Sequence, residues 1–198
     1  MPAPAKTSFT AREVTTTAIM SAIASVLMFL DFALPIFPPF MKMDISNVPA
    51  LISSFAIGPW SGVLVELIKN AVNVTHTSTG GIGEMASFTI GAAYVVPAGL
   101  IYRRRKTIRG ALLSLAAGIF ATSLAAVLAN YFVLIPLYSR IIPIDTLIGM
   151  YQAVNPYAAT MPKIVLTTVL PFNLLKASIA ALLTFPLYKR LSPVIRGL

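Results

Sequence analysis

Residues 171–188 read PFNLLKASIAALLTFPLY, and the meaning of the lysine in their middle decides the fold. Lys176 is surrounded almost entirely by apolar residues. In a soluble core helix such a lysine is an oddity that one good acceptor satisfies. In a membrane-crossing helix it costs about 2.5–3.5 kcal/mol at the helix centre, and it then needs a partner or a ligand. The choice between the two rests on the rest of the chain.

The composition favours the membrane. Of 198 residues, 57% are hydrophobic and 11% charged, against about 25% charged in a soluble domain. So few charges could not cover the surface of a soluble protein of this length. The absence of cysteine excludes disulfides and thiolate metal sites. With His76 as the single histidine, no metal centre is expected. The polar N-terminal MPAPAKTSFTAREVTTT runs into a long apolar stretch without a small-residue cleavage pattern, so no cleaved leader is expected.

Working outward from Lys176, six apolar segments can be marked. They run from about Thr15 to Leu30, Val48 to Ile57, Trp60 to Val74, Met85 to Tyr102, Ala111 to Tyr138, and Ile164 to Tyr188. Spanning needs roughly 20 apolar residues, so the second and third are marginal. Short spans with polar ends suit a bundle whose backbone partly lines a cavity. The expected fold is an all-α integral membrane bundle of six transmembrane helices. It forms one domain over residues 1–198, with 1–14 as a cytoplasmic N-terminal segment.

The basic residues set the orientation. Lys6, Arg12, Arg103, Arg104, Arg105, Lys106, Arg109, Lys189, Arg190 and Arg196 fall on the side shared by both termini, ten of the fifteen Lys and Arg. The positive-inside rule places that side, and both termini, in the cytoplasm. The net charge of +9 is thereby a topology signal compatible with anionic lipid, and nucleic acid is not an expected partner. The opposite face carries the longer connections FALPIFPPFMKMD, THTSTGGIGE and SRIIPIDTLIGMYQAVNPYAATMPK. The first is stiff and apolar without being helical, which fits either a lid over an apolar ligand or an interfacial loop without one.

Polar residues inside the spans carry the functional signal. Asp44, Ser46 and Asn47 precede an apolar run and read as helix caps for at least one of the three. Glu66, Lys69, Asn70 and Asn73 stand at i, i+3, i+4 and i+7, on one helix face; they form a structural ion pair or contact a ligand. Asn130 lies in the fifth segment, and Asn173 and Lys176 lie three apart in the sixth. Interhelical hydrogen bonds from such amides contribute about 0.6 kcal/mol on average. Two amides and an ammonium near one end of adjacent spans form a polar end to an apolar pocket. Lys176 then needs an acceptor such as Glu66, Glu84, Asp44 or a bound carbonyl. The stretch STGGIGEMASF lacks the G-K-[ST] ending of a Walker A loop and the G-x-G-x-x-G spacing of a dinucleotide fold. Its glycines permit a close approach of backbone to a ligand. No catalytic motif of hydrolases, zinc proteases or phosphotransferases occurs. Ala18 and Ala22 are four apart in the first span, a small-residue surface used for packing inside a bundle or for docking another membrane protein.

Taken in order, DISNVPALISSFAIGPWSGVLVELIKN, STGGIGEMASFTIGAAYVVPAGLIYRRRK, NYFVLIPLY and PFNLLK resemble the substrate-binding S components of energy-coupling-factor (ECF) vitamin transporters, and among them the riboflavin-specific type. The resemblance covers nearly the whole chain. It implies a prokaryotic plasma-membrane protein that binds its vitamin with high affinity from outside. It further implies docking on a transmembrane coupling subunit that works with two ATP-binding subunits, and no ATPase activity or cofactor of its own. Ala18 and Ala22 resemble the family's docking motif. Asn130 and Lys176 resemble the positions that hydrogen-bond the pyrimidine edge of riboflavin beneath the loop after the first helix. Asn173 is a further site candidate, and Asp44, Asn47, Thr79 and Glu84 are candidates for the ribityl hydroxyls. Alternatives are another flat heterocyclic vitamin such as thiamine, FMN, or a small intramembrane enzyme using Lys176 and Glu66.

Overall fold

A computed structural model describes the backbone of residues 9–77 and 79–196, with side chains up to Arg190. Lys6, Ser78 and the side chain of Arg196 lie outside the described residues. Helix α1 (Ala11–Phe29) starts four residues before the expected boundary. The reason is local. Thr10 accepts from the Glu13 backbone N–H, and the Glu13 carboxylate accepts from the Thr10 backbone N–H at 2.8 Å, a reciprocal capping box. The polar N-terminal segment thus gives way to helix before residue 14.

The Pro-rich connection that follows is tied by a two-residue antiparallel ribbon, β1 (Phe32–Ala33) and β2 (Lys42–Met43), with Phe32 opposite Met43. Helix α2 (Asn47–Ala56) and helix α3 (Pro59–Asn73) are separated by Gly58, whose φ of +144° lies where side chains rarely go. Pro59 then opens α3 at a position that needs no N–H donor. Helix α4 (Ile82–Arg104) is followed by α5 (Ile108–Ala129), capped by Thr107 through the Gly110 N–H at 3.0 Å. A π-turn at Asn130–Leu134 and a last α-turn, α6 (Ile135–Tyr138), prolong α5.

The long connection before the final span contains helix α7 (Ile144–Gln152), which the hydropathy segments do not mark and which buries Leu147 and Tyr151. The final helix begins with α8 (Met161–Ile164), passes a second π-turn at Val165–Val169, and continues as α9 (Leu170–Arg196).

Among the described residues, three helices are long and apolar enough to cross a membrane: Ile82–Arg104, Ile108–Tyr138 and Met161–Arg190. Helix α1 keeps Arg12, Glu13 and three threonines in its first two turns, while α2 has 10 residues and α3 has 15. These three close one side of the bundle through small polar contacts. Ser61 bonds to Thr17 and to Ser53, both at 2.6 Å, and Ser54 donates to the Val95 carbonyl at 2.7 Å. Tyr94 is fully buried in the middle and donates to the Ala177 carbonyl at 2.8 Å, joining α4 to α9. Ala18 and Ala22 are exposed on α1 beside Ile19 and Ile23, whereas Ala24 is buried. Packing inside the bundle therefore does not explain the first pair.

Candidate functional site

The α1–α2 connection lies over the end of the bundle where α3 stops and α4 begins. It is pinned on two sides by edge-to-face aromatic pairs, Phe37 with Phe172 of α9 at 5.1 Å and Phe40 with Tyr151 of α7 at 5.4 Å. Beneath it lie two adjoining chambers of about 180 and 350 Å³. The second alone falls within the usual range for small-molecule sites, about 300–1,000 Å³. Both are bordered by Phe40, Lys42, Gly83, Ser87 and Lys176.

Asn47, Asn130, Asn173 and Lys176 line the first chamber, together with Phe172, Tyr138 and Tyr151. The Asn130 amide donates to the Ala126 carbonyl at 2.8 Å and the Asn173 amide to the Val169 carbonyl at 2.9 Å. In each case the acceptor lies four residues earlier, beside a π-turn that breaks the regular ladder. A primary amide has two donor hydrogens and a carbonyl oxygen, so each retains groups for a ligand. π-turns of this kind recur at functional sites. Asp44, Thr79, Glu84 and Lys176 line the second chamber, with Asp31, Asn73 and His76. Each of the seven expected site residues therefore borders one or other of two adjoining chambers, and Lys176 borders both.

Lys176 has its protein acceptor. Its ammonium donates to Asp44 Oδ2 at 2.6 Å, bridging 132 positions of chain. Asp44 Oδ1 accepts from the Ser46 backbone N–H at 2.9 Å and from the Ser46 hydroxyl. Burial alone would raise the Asp44 pKa, but the charges of Lys176 and Lys69 and these hydrogen bonds hold it at about 2. Asp44 is thus an anchor for the entry to α2, whereas Ser46 and Asn47 make no cap bond of the usual kind. Their side chains turn to Lys69 instead: its ammonium donates to Ser46 Oγ at 2.8 Å and to Asn47 Oδ1.

Lys69 also pairs with Glu66 at 2.8 Å, and both side chains are fully buried. The one-face expectation for α3 holds, and of its two readings the ion pair is the one realised. The Glu66 carboxylate sits against Gly91 of α4; a Cβ at that glycine would collide with its oxygen. Gly91 itself lines the first chamber. Backbone without a side chain thus separates a buried carboxylate from the cavity.

The glycine-rich turn before α4 is organised by Thr77 and Thr79. Thr77 accepts from the N–H groups of Thr79 and Gly81, both at 3.1 Å, and donates to Glu84 at 2.8 Å. Thr79 accepts from Gly83 N–H at 3.0 Å and donates to Glu84 at 3.3 Å. Gly80 and Gly81 take φ of +62° and +88°. Sequence reading missed Phe40, Ser87, Tyr138, Tyr151 and Phe172 as lining residues. For Phe40 and Tyr151 only the aromatic content of the connections pointed to them, because which rings turn inward depends on the α7 and β-ribbon geometry. Ser87, Tyr138 and Phe172 lie in the apolar segments, where nothing in the spacing marks which side chains face a cavity.

The chain also has relatives. The family described as ECF transporter, substrate-specific component, matches residues 12–188. The riboflavin transporter RibU of Staphylococcus aureus is 30% identical over 181 residues, covering 91% of this chain and 90% of that protein. The riboflavin transporter FmnP of Bacillus subtilis is 28% identical over 180 residues, covering 89% and 90%. A solved structure of the S component of a bacterial ECF transporter superposes with a TM-score of 0.73 at 29% identity, covering 93% of this chain and 98% of that one. With its three membrane-capable helices and a match over most of its length, the chain is a membrane protein and belongs to the substrate-specific components of ECF transporters.

Proposed function

We propose that this chain is the riboflavin-binding S component of an ECF-type uptake transporter. The observation that carries the reading is the convergence of Asn130, Asn173 and Lys176 on one aromatic-lined chamber, in a chain whose relatives at 30% and 28% identity are riboflavin transporters. The flavin ring has an apolar dimethylbenzene end and a pyrimidine end with two carbonyls and an N–H. The chamber offers aromatic walls and amides at matching chemistry. The three ammonium hydrogens of Lys176 serve Asp44 with one and leave two for a ligand carbonyl or ring nitrogen. The second chamber, bordered by Asp44, Thr79 and Glu84, takes the ribityl chain. This accounts for the partly buried lysine: its desolvation is offset by the Asp44 carboxylate and, with riboflavin bound, by charge-assisted hydrogen bonds as well.

In the same reading the termini and the Arg103–Arg109 loop are cytoplasmic and α1 to α3 complete six spans of a single domain in a prokaryotic plasma membrane. The exposed Ala18 and Ala22 face of α1 docks on the coupling subunit, and two ATP-binding subunits supply the energy, so the chain needs no cofactor and catalyses nothing itself. The test is an absorbance spectrum of the detergent-purified protein with wild type and Lys176→Ala side by side. Flavin bands in the wild type, weakened in the variant, are expected. A colourless wild type that ignores added riboflavin overturns the reading, and competition by unlabelled thiamine or FMN separates the vitamin from its alternatives.

A further inference from the structure

A third cavity, of about 240 Å³, opens at the other end of the bundle, between the α4–α5 connection and the end of α9. It lies near Tyr102, about 28 Å along α4 from Gly83 of the two chambers at 1.5 Å per residue. One wall is a packed aromatic cluster: Phe55 stacks on Tyr102 at 4.5 Å, and Tyr188 meets both edge-on at 5.3 Å. Lys106 and Lys189, one from each side of the opening, also line it. No carboxylate does. Of the six Asp and Glu of the chain, only Glu13 belongs to this end, where it closes the α1 capping box.

The location adds a second constraint. Two membrane-capable helices end here, at Arg104 and Arg190, and the third begins here at Ile108. The cavity therefore sits at the level where hydrocarbon meets headgroups. A ligand suited to it is anionic at one end and apolar at the other. A free phosphate would gain nothing from the aromatic wall. A zwitterionic headgroup brings a cation of its own towards two lysines.

We propose that this cavity is a binding site for an anionic phospholipid, with Lys106 and Lys189 holding the headgroup phosphate and the Phe55–Tyr102–Tyr188 cluster lying against the acyl chain. Ammonium groups at a membrane interface draw such lipids electrostatically, and here the two point charges flank a preformed apolar recess instead of lying on an open surface. The site is separate from the vitamin chambers and does not depend on what they bind.

The experiment measures the melting temperature of the detergent-purified full chain at low salt with added phosphatidylglycerol, phosphatidylcholine or soluble glycerol phosphate. Phosphatidylglycerol is expected to raise it by several degrees, and the other two are not. In K106Q/K189Q the phosphatidylglycerol effect should be lost, its half-maximal concentration rising about tenfold or more, as expected when charge-assisted contacts are removed. R104Q/R105Q, which removes two charges from the same end but not from the cavity, should keep it. An equal response to phosphatidylcholine, a response to glycerol phosphate, or an equal loss in R104Q/R105Q overturns the proposal. So does a K106Q/K189Q protein that responds like wild type. If the double variant fails to fold, K106Q alone is read by the same criteria, with a partial loss expected and no loss overturning.

Discussion

Lys69 and Lys176 both lie inside apolar helices of this protein, and their surroundings differ in how many of their donors the protein itself takes up. Lys69 in α3 is fully buried and shared among Glu66, Ser46 and Asn47. Its three donors are committed to the protein. Lys176 in α9 keeps 17% of its side chain exposed, borders both chambers and has a single acceptor, Asp44. Both satisfy the rule that a charge in a membrane bundle must be paired. Only the second has donor capacity to spare, and it faces a space that a ligand can fill. The number of uncommitted donors, more than burial, distinguishes the roles.

The contrast is open to attack at several strengths. The largest effect is expected from Lys69→Met, which leaves Glu66 buried without a counter-charge and should destabilise the protein by about 3–5 kcal/mol. Thermal unfolding in detergent measures it. The double variant E66Q/K69M should recover much of the loss, and no recovery would break the assignment of Lys69 as a structural charge. Next, Lys176→Ala should weaken riboflavin binding by about 1.5–3 kcal/mol, roughly 10- to 150-fold, the range for hydrogen bonds to charged groups. Its melting temperature should shift less than that of Lys69→Met. The reverse pattern would exchange the two roles.

Acid provides a comparable but distinct lever. The Asp44 pKa is about 2 in the folded protein, below the ordinary carboxylate value of about 3.9. A depressed folded pKa contributes stability that is full above the unfolded value and is lost as pH falls through the folded one. Stability should therefore hold down to about pH 4 and decline between about pH 4 and 2, by on the order of 2 kcal/mol from this group. Melting curves of wild type and Asp44→Asn across that window check it, with the variant flatter. The smallest effect is expected from Asn130→Ala, about 1 kcal/mol or fivefold in riboflavin affinity, as for one neutral hydrogen bond. Titration by flavin fluorescence reads it.

Much of this was legible in the sequence, for identifiable reasons. Sparse charge marked a membrane protein, and Lys176 stood out because an apolar helix makes an ammonium conspicuous. The i, i+3, i+4 spacing put Glu66, Lys69 and Asn70 on one face, and all three are buried. The start of α1 was also written locally, in Thr10 and Glu13, although a hydropathy reading passes over it. What spacing could not convey was which acceptor each lysine takes. Lys69 meets Ser46 and Asn47 more than 20 residues away, and Lys176 meets Asp44 across most of the chain. Asn47, read as a ligand contact, borders the chamber but also spends its carbonyl on Lys69. Helix α7 escaped because its nine residues are too few to stand out as a membrane-length apolar segment. The π-turns escaped because their residues, NYFVL and VLTTV, are ordinary helix-compatible sequence.

Those two π-turns have a consequence for how the chain can change length. A π-turn holds one residue more than an α-turn, and each residue of an α-helix advances the face by about 100°. Removing a single residue from Val165–Val169 would restore a regular helix with little rotation of its flanks, because the π-turn fits its extra residue into about one turn, so Ile164 would keep its buried side relative to Lys176. The same holds for Asn130–Leu134 and the buried Ile135 beyond it. In these two segments a one-residue deletion is a smaller event than the same deletion in a regular stretch, which would turn one part of the helix by about 100° against the other and carry the residues of the site away from their neighbours.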